Sequence, residues 1–373
     1  MKTPAILQKI PCSLGIALLV VIAAKILVFS VGYAATYTHD ASASPLTIIM
    51  NQFNRWDAPH YIDIARNWYV NQGDQRNFIV FFPLYPILIR LFTFNFSYVN
   101  LSALAVANVS SIFAFVYLFK LAKLDFDDGV AQKAVLFLSV FPTAYFLSAP
   151  YTEGLFFALI IASIYYARLS KWPLAGVLGL FAAVTRMAGL LLLPALLVEY
   201  LHQKKWKPRK IDSKILWVSL ALVGFLIYLN INNQVTGNPF AFMEIERTHW
   251  FNSLDPITGL AQALAATGKP YPDNITIGAA PIIFAFLGFL AVAGGFARRL
   301  RPSYLVYMLF TWMLAVSTAW WISVPRYVMA MFPMFILLGT LSRRRTVTIL
   351  ITVAFAAALC FFTVLFALGK WAF

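Results

Sequence analysis

Apolar runs of about 18 to 22 residues recur along almost the whole sequence, and each is long enough to cross a ~30 Å hydrocarbon core as a helix. Inside a bilayer every backbone N–H and C=O group must be bonded within the protein, which a helix achieves by itself. The chain is 61% hydrophobic and only 12% charged. This composition excludes a soluble fold and predicts an all-α polytopic membrane protein. No stretch is long enough for a separate soluble domain, so we predict one domain, residues 1–373.

About eleven membrane-spanning helices are predicted, and most of them are joined by short turns. Two connections are long, residues 35–99 and 234–278, and both are rich in Trp, Tyr, Phe, Ile and Pro. Ordered long connections are often functional. We therefore predict a catalytic first outer loop at 35–99, containing interfacial helices, and a second outer loop at 234–278. The predicted spans are residues 13–34, 100–119, 134–149, 154–168, 173–186, 188–201, 214–233, 279–297, 303–321, 327–341 and 346–369.

Charge is distributed unevenly between the two ends of these spans. The formal net charge is +15, which in a soluble protein would suggest nucleic acid. Here nineteen of the 29 Lys and Arg residues fall on one side, nine fall on the other, and Lys25 lies inside the first span. The side with fewer cations holds nine of the 14 acids. The positive-inside rule then predicts a cytoplasmic amino terminus, functional loops on the non-cytoplasmic face, and no nucleic-acid partner.

The first outer loop carries polar residues in a chain that has few of them. Asp57 follows Trp56 at a predicted membrane surface, where partial desolvation would raise its pKa and suit a general base. Asp57 also stands two residues before a proline, which is typical of a helix N-cap. Both roles stay open. His60 and Asp63 share one face of a helix predicted over residues 60–69, and we expect them to hydrogen-bond each other.

Three further candidates lie at the outer ends of predicted spans. Glu153 begins a span and is also explained as a first-turn acid that complements the helix dipole. Arg186 lies in a tight hairpin between two spans, where we expect an anion as its partner. Arg326 has the forked geometry that binds phosphate, although an interfacial anchor is an equal alternative.

The second outer loop contains a short segment in which aromatic and charged side chains alternate. Glu246, Arg247, His249 and Trp250 lie within five residues of each other. This mixture suits sugar and lipid headgroups, although Trp and Arg are also common at membrane interfaces without a function.

One run, Arg-Trp-Asp-Ala-Pro-His-Tyr-Ile-Asp-Ile-Ala at 55–65, is followed by Phe-Phe-Pro-Leu-Tyr-Pro at 81–86 and by Arg90. Together these segments resemble the first-loop signature of PIG-V-type mannosyltransferases, which include GPI mannosyltransferase II and have the GT-C fold. Similar landmarks follow, so the resemblance runs from about residue 50 to about residue 340. It implies a GT-C-like bundle that transfers a hexose, mannose, from a polyprenyl- or dolichyl-phosphate donor to an acceptor hydroxyl. These landmarks are residues 141–156, 179–194, 237–240, Trp250, 325–327 and 332–333.

The resemblance also implies roles for individual residues. The first-loop aspartate of the family corresponds to Asp57, which would be the base of an inverting reaction, with Trp56 and Asp63 supporting it. No cofactor is required, because a guanidinium can stabilise a phosphate leaving group. A weakly held divalent metal, on Asp57 with Asp63 or Glu153, stays open. The candidates for binding the substrate or the donor phosphate are Arg55, His60, Arg90, Glu153, Arg186, Glu246, Arg247, Trp250, Arg326 and Tyr327.

The expected partners are membrane lipids, the lipid-linked sugar donor, and a glycolipid or glycan acceptor. The membrane would be the cell membrane of a prokaryote or the endoplasmic reticulum of a eukaryote. An alternative function is transport or flipping of a lipid-linked solute without sugar-transfer chemistry. The sequence shows no internal repeat and no matching pair of interrupted spans, which weakens that alternative.

Overall fold

The computed structural model describes residues 12–39 and 41–373. Lys2, Lys9 and Asp40, which contribute to the predicted charge asymmetry, lie outside the described residues. Within them the fold is entirely helical, without strands, as the apolar pattern predicts. The α-helices are α1 Cys12–His39, α2 Pro45–Asn51, α3 Ala58–Asn67, α4 Leu84–Phe92, α5 Val99–Ala122, α6 Asp128–Ser139, α7 Glu153–Arg168, α8 Trp172–Thr185, α9 Leu192–Gln203, α10 Leu220–Thr236, α11 Ala241–Thr248, α12 Pro256–Ala266, α13 Ala280–Ala297, α14 Pro302–Val316, α15 Val324–Met329, α16 Pro333–Leu341 and α17 Arg345–Ala367.

In the described part of the chain, fewer helices than the eleven predicted spans have the length and apolar character of a membrane span. Five helices in the described part of the chain are long and apolar enough to cross a membrane, or six if a bent pair counts as one span. In that pair, Trp321–Met329 and Pro333–Leu341 meet at 67°. Three other predicted spans correspond to shorter apolar helices of 10 to 17 residues, so the count of eleven is not confirmed. The shorter helices are Trp172–Thr185, Met187–Gln203 and Pro302–Val316.

The predicted span at residues 134–149 is wrong. Helix α6 ends at Ser139, and the chain then forms an irregular buried segment before α7 begins at Glu153. Pro142 and Pro150 explain the break, because neither can donate the N–H that a continuous helix needs. Lys25 bonds this segment from α1: its Nζ donates to the Leu147 carbonyl oxygen at 2.9 Å and to Ser148 Oγ at 3.2 Å. The lysine inside the first span is therefore a contact between segments of the bundle.

Helix α7 lies in the core and approaches α5 closely at its amino-terminal end. A Cβ atom at Gly154 would lie 2.4 Å from the Ala107 carbonyl oxygen, so only glycine fits there without a backbone shift. The neighbouring Glu153 is thereby held in the interior, with its side chain 4% exposed.

The two segments predicted as outer loops are folded largely into short helices. The helix predicted over residues 60–69 is α3, which begins and ends two residues earlier, and the Pro-rich stretch that follows continues into α4. The two segments also contact each other. The Trp250 ring lies 5.7 Å from the His60 ring, and Asn77 Nδ2 lies 3.3 Å from His249 Nδ1. Both segments therefore reach the same end of the bundle.

A second polar cluster lies near the other end of α7. Arg168 follows Glu153 by fifteen residues on this helix, which is about 22 Å along its axis. Arg168 contacts Asp125 through both oxygens at 2.6 Å. The fully buried Glu199 accepts two hydrogen bonds from Arg301, at 2.6 and 2.7 Å, and one from Ser303 Oγ at 2.7 Å. These contacts join α9 to the start of α14.

We expect Glu199→Ala to destabilise the protein strongly, by about 3–5 kcal/mol, because it leaves the Arg301 guanidinium in a largely buried position without its carboxylate. The thermal unfolding temperature of purified protein in one detergent checks this, with Asp74→Ala on the exposed surface as the control. An unfolding temperature equal to that of the wild type would contradict the structural role of this cluster.

Candidate functional site

The backbone around Asp57 is held in an unusual conformation. Trp56 has φ of 54°, a left-handed value that costs energy for a residue with a bulky side chain. The Tyr151 hydroxyl fixes the peptides on both sides: it donates to the Arg55 carbonyl oxygen at 2.8 Å and accepts from the Asp57 N–H at 3.1 Å. Asp57 precedes α3, but its side chain makes no capping hydrogen bond. Asp57 thus occupies the N-cap position as predicted, but its carboxylate does not cap the helix and is directed elsewhere.

The Asp57 carboxylate faces Arg326. Arg326 Nη1 lies 3.2 Å from Asp57 Oδ2, and Arg326 Nε lies 3.6 Å from Glu153 Oε1. The same Glu153 oxygen is 2.5 Å from Arg186 Nη1, which also donates to Thr152 Oγ1 at 2.9 Å. Two carboxylates and two guanidiniums thus alternate in one group, which we call the four-charge cluster: Asp57, Arg326, Glu153 and Arg186.

Asp57 is the most exposed member of the four-charge cluster. Its side chain is 24% exposed, against 18% for Arg186, 11% for Arg326 and 4% for Glu153. Glu153 Oε2 and Arg326 Nε are buried and have no hydrogen-bond partner. Buried polar atoms in that state are uncommon in native proteins and call for an explanation. The cluster therefore has hydrogen-bonding capacity left for a polar ligand that enters from the Asp57 side.

Aromatic rings surround the two guanidiniums. The Tyr327 ring lies between them, 5.7 Å from the Arg326 guanidinium carbon and 5.9 Å from that of Arg186. Arg326 also lies 5.1 Å from the Phe146 ring, and Arg186 lies 5.9 Å from the Phe156 ring. These rings exclude water and contribute cation–π attraction, which keeps both cations in place in an apolar surrounding.

The second outer segment adds a carboxyl group near Asp57. Burial, opposed by a hydrogen bond from Asn252 and assisted by the negative charge of Asp57, raises the pKa of the Glu246 carboxyl to about 7. Asn252 Nδ2 donates to Glu246 Oε2 at 3.3 Å. The ring of His60 lies against Phe78 and Trp250, and burial lowers the pKa of this histidine. Glu246 therefore changes protonation near neutral pH, whereas burial favours the neutral form of His60.

Several predicted site residues lie elsewhere and support the backbone instead. Arg55 donates from Nη2 and Nε to the Ala367 carbonyl oxygen, at 3.2 and 3.3 Å. Arg90 donates to the carbonyl oxygens of Ala65 and Arg66 near the end of α3, at 3.3 and 3.1 Å. Both guanidiniums are thus occupied by main-chain carbonyls, outside the four-charge cluster.

Three further predicted residues lie outside the four-charge cluster. Asp63 Oδ1 accepts a hydrogen bond from Asn67 Nδ2 at 2.9 Å, so the predicted bond between Asp63 and His60 is wrong. Trp56 makes an edge contact with Trp371, with ring centroids 4.9 Å apart. The side chain of Arg247 belongs to an exposed residue of α11.

Two residues that hold this site, Tyr151 and Asn252, are not indicated by the sequence pattern. Tyr151 stands two residues before Glu153 and is fully buried, yet a tyrosine in an apolar run gives no sign that its hydroxyl will bond a distant peptide. Asn252 lies beyond the aromatic segment that was singled out, and only the turn after α11 brings it back to Glu246.

A metal site can be judged only from the described residues. Among them, no group of three or more His, Cys, Asp or Glu side chains is close enough to hold an ion. Arg326 bridges Asp57 and Glu153, so a divalent ion between these two carboxylates would have to replace a guanidinium.

Comparison with known proteins gives one family match. Residues 82–231, about two fifths of the chain, match the sequence profile of a family described as dolichyl-phosphate-mannose-protein mannosyltransferase. This match supports the prediction that the chain is of the GT-C mannosyltransferase superfamily. It contains Glu153 and Arg186 but neither Asp57 nor Arg326, and it does not single out the PIG-V type. No curated protein matches the chain at a significant level.

The raised pKa of Glu246 predicts a pH-dependent stability. The folded protein holds the Glu246 proton more tightly than the unfolded chain does, so protonation of Glu246 stabilises the fold. This contribution to the free energy of unfolding is fully present below the ordinary carboxyl pKa and is lost as pH rises through about 7. The unfolding temperature of the wild type should therefore fall between about pH 5 and pH 8. We expect a smaller fall over the same range for Glu246→Gln, which has no proton to lose at this position. Glu244→Gln, on the exposed side of α11, is the control. Identical pH profiles for wild type and Glu246→Gln would contradict the shift.

Proposed function

We propose that this protein is an inverting glycosyltransferase. It transfers a hexose from a polyprenyl-phosphate donor of the dolichyl-phosphate kind to a hydroxyl of a glycolipid or glycan acceptor. The hexose that we propose is mannose. The observation that carries the proposal is the position of Asp57: it is the most exposed member of a largely buried group that contains two guanidiniums. The family match over residues 82–231 supports the same chemistry.

The reaction needs a base and a stabiliser for the leaving group. Asp57 takes the proton from the acceptor hydroxyl while the acceptor oxygen bonds to the anomeric carbon. The bond between that carbon and the phosphate oxygen breaks, and its electron pair stays on the phosphate. Arg326 and Arg186 stabilise the charge that develops there. Attack opposite the leaving group inverts the anomeric configuration.

Binding of the donor would also prepare the base. Without substrate, Arg326 is shared between Asp57 and Glu153. A phosphate anion competes for the same guanidinium, since Arg forms strong forked contacts with phosphate. Once Arg326 bonds the phosphate, the Asp57 carboxylate loses a stabilising partner and becomes a better proton acceptor. Donor binding and activation of the base are coupled through this one residue.

We further propose that the reaction takes place on the non-cytoplasmic face of a multi-pass protein with a cytoplasmic amino terminus. A lipid-phosphate donor partitions into the bilayer and presents its headgroup at the interface. The four-charge cluster and the second outer segment meet at one end of the helices, which fits a substrate that arrives from the membrane.

Transfer can be tested with purified protein in lipid nanodiscs. Labelled polyprenyl-phosphate mannose is supplied with a panel of glycolipid and glycan acceptors, and the labelled product is measured. Parallel reactions contain EDTA or added Mg²⁺, which tests the metal requirement. Labelled product supports the proposal. If the donor instead moves across the bilayer of proteoliposomes and no product forms, the transporter alternative is favoured and the proposed sugar transfer is overturned.

A further inference from the structure

The turn that follows α11 holds buried hydrogen-bonding atoms without partners. Trp250 Nε1, a donor, and Asn252 Oδ1, an acceptor, are both buried and unbonded. Glu246, one turn before Trp250, is bonded by Asn252 through Oε2 alone. Leaving such groups unpaired is costly, so a site that retains several of them is suited to a polar ligand.

The turn after α11 packs against the first outer segment close to Asp57. The Trp250 ring makes edge contacts with His60, at 5.7 Å between centroids, and with Phe81, at 5.6 Å. His60 lies in the first turn of α3, three residues after Asp57, and the negative charge of Asp57 acts on the Glu246 carboxyl. The indole N–H, the amide oxygen and the carboxyl group therefore belong to a segment that contacts the helix following Asp57, next to aromatic rings.

We propose that Glu246, Trp250 and Asn252 form a subsite for a hexopyranose ring, and that they bind adjacent sugar hydroxyls. A hydroxyl both donates and accepts, so it can bond the indole N–H, the amide oxygen and the carboxyl group together. The C–H face of the ring packs on aromatic side chains. The inference rests on the proposed function and adds where the sugar lies relative to the phosphate.

Charge argues that this subsite binds sugar and not phosphate. None of its three members is a cation, and Asn252 Oδ1 offers a hydrogen-bond acceptor where a phosphate needs donors. The negative charge of Asp57, which acts on Glu246, also opposes an anion here. The guanidiniums of Arg326 and Arg186 lie in the four-charge cluster instead. A glycosyl phosphate could place its phosphate at the two arginines and its sugar ring toward α11. It would then supply partners both to the guanidiniums and to the unbonded atoms of the subsite.

Binding measurements separate the sugar from the phosphate. The affinities of wild type and variants for polyprenyl-phosphate mannose and for bare polyprenyl phosphate are measured in nanodiscs. Trp250→Phe removes one proposed hydrogen bond to the sugar, and Asn252→Ala removes one to the sugar together with the bond that Asn252 donates to Glu246. Each variant should weaken binding of the mannose lipid by about 10-fold, while binding of the bare lipid is unchanged. Glu246→Gln tests the carboxyl group, and Glu244→Gln on the exposed side of α11 is the matched control.

Direct binding of methyl α-mannoside to wild type and variants distinguishes a subsite for the donor sugar from one for the acceptor sugar. If the variants keep full affinity for the mannose lipid but lose binding of the free glycoside, the subsite holds the acceptor hexose. Two results would overturn the inference. In the first, the variants lose as much affinity for the bare lipid as for the mannose lipid; in the second, they lose no affinity for either lipid or for the glycoside. A wild type that binds the mannose lipid through these residues but makes no product would refute the proposed function and leave the sugar subsite standing.

Discussion

Asp57→Asn is expected to lower the rate of sugar transfer by about 10²–10⁴-fold, the usual contribution of a positioned general base. Asparagine keeps the shape of the side chain but cannot accept the proton of the acceptor hydroxyl. Binding of the donor should be retained, because the substitution removes a carboxylate that competes with the phosphate for Arg326. Initial rates of transfer in nanodiscs, measured beside donor affinity, check both expectations.

Asp74→Asn, the same substitution at an exposed position, controls for a change of net charge. It should leave the transfer rate within about 2-fold of the wild type, as expected for a surface substitution away from the site. A folded Asp57→Asn variant with wild-type transfer would remove Asp57 as the base, whatever the behaviour of the control.

Arg326→Met is expected to have two large effects. The side chains of Asp57 and Glu153 lose a shared cation, and removing one partner from a buried ion pair costs about 3–5 kcal/mol. The phosphate leaving group also loses a guanidinium, which should lower transfer by about 10²–10³-fold. Arg326→Lys keeps the charge but not the fork, so its activity should fall between those of Arg326→Met and the wild type.

The double variant Asp57→Asn/Arg326→Met tests whether the two residues interact as the structure shows. Because asparagine no longer leaves a charge unpaired, the double variant should unfold at a higher temperature than Arg326→Met alone. Arg76→Gln, at an exposed position, is the control for loss of a surface cation. Strictly additive losses in the double variant would show that Asp57 and Arg326 are not coupled.

Much of the candidate site could be predicted because polar residues are rare in this composition. Asp57, Glu153, Arg186 and Arg326 come from four distant parts of the sequence, and each was singled out where a charge stood near an apolar run. The structure brings all four together. Charges that must be buried in an apolar bundle need opposite charges as partners, so few arrangements were available to them.

Composition could not decide how each cation is used. Arg55 and Arg90 stand beside the same motif as Asp57, yet both bond main-chain carbonyls. A guanidinium binds a carbonyl, a carboxylate or a phosphate with similar geometry, and only the packing of helices far apart in sequence selects among them.

The count of spans also depended on information that hydropathy lacks. An apolar run identifies burial, whether in lipid or in protein, and cannot show where a helix breaks inside it. Residues 134–149 are apolar throughout most of their length, but Pro142 ends the regular structure early. The prolines were visible in the sequence, whereas the hydrogen bonds that make such a break tolerable, such as those from Lys25, were not.

The anomeric configuration of the first product is the strongest test of whether the acceptor hydroxyl displaces the phosphate in one step at this site. Wild-type protein is given a polyprenyl-phosphate mannose of known configuration, and the new glycosidic bond is assigned by NMR. Inversion is predicted, because the base at Asp57 directs the acceptor to the face opposite the phosphate held by Arg326 and Arg186. A product with retained configuration would contradict the account.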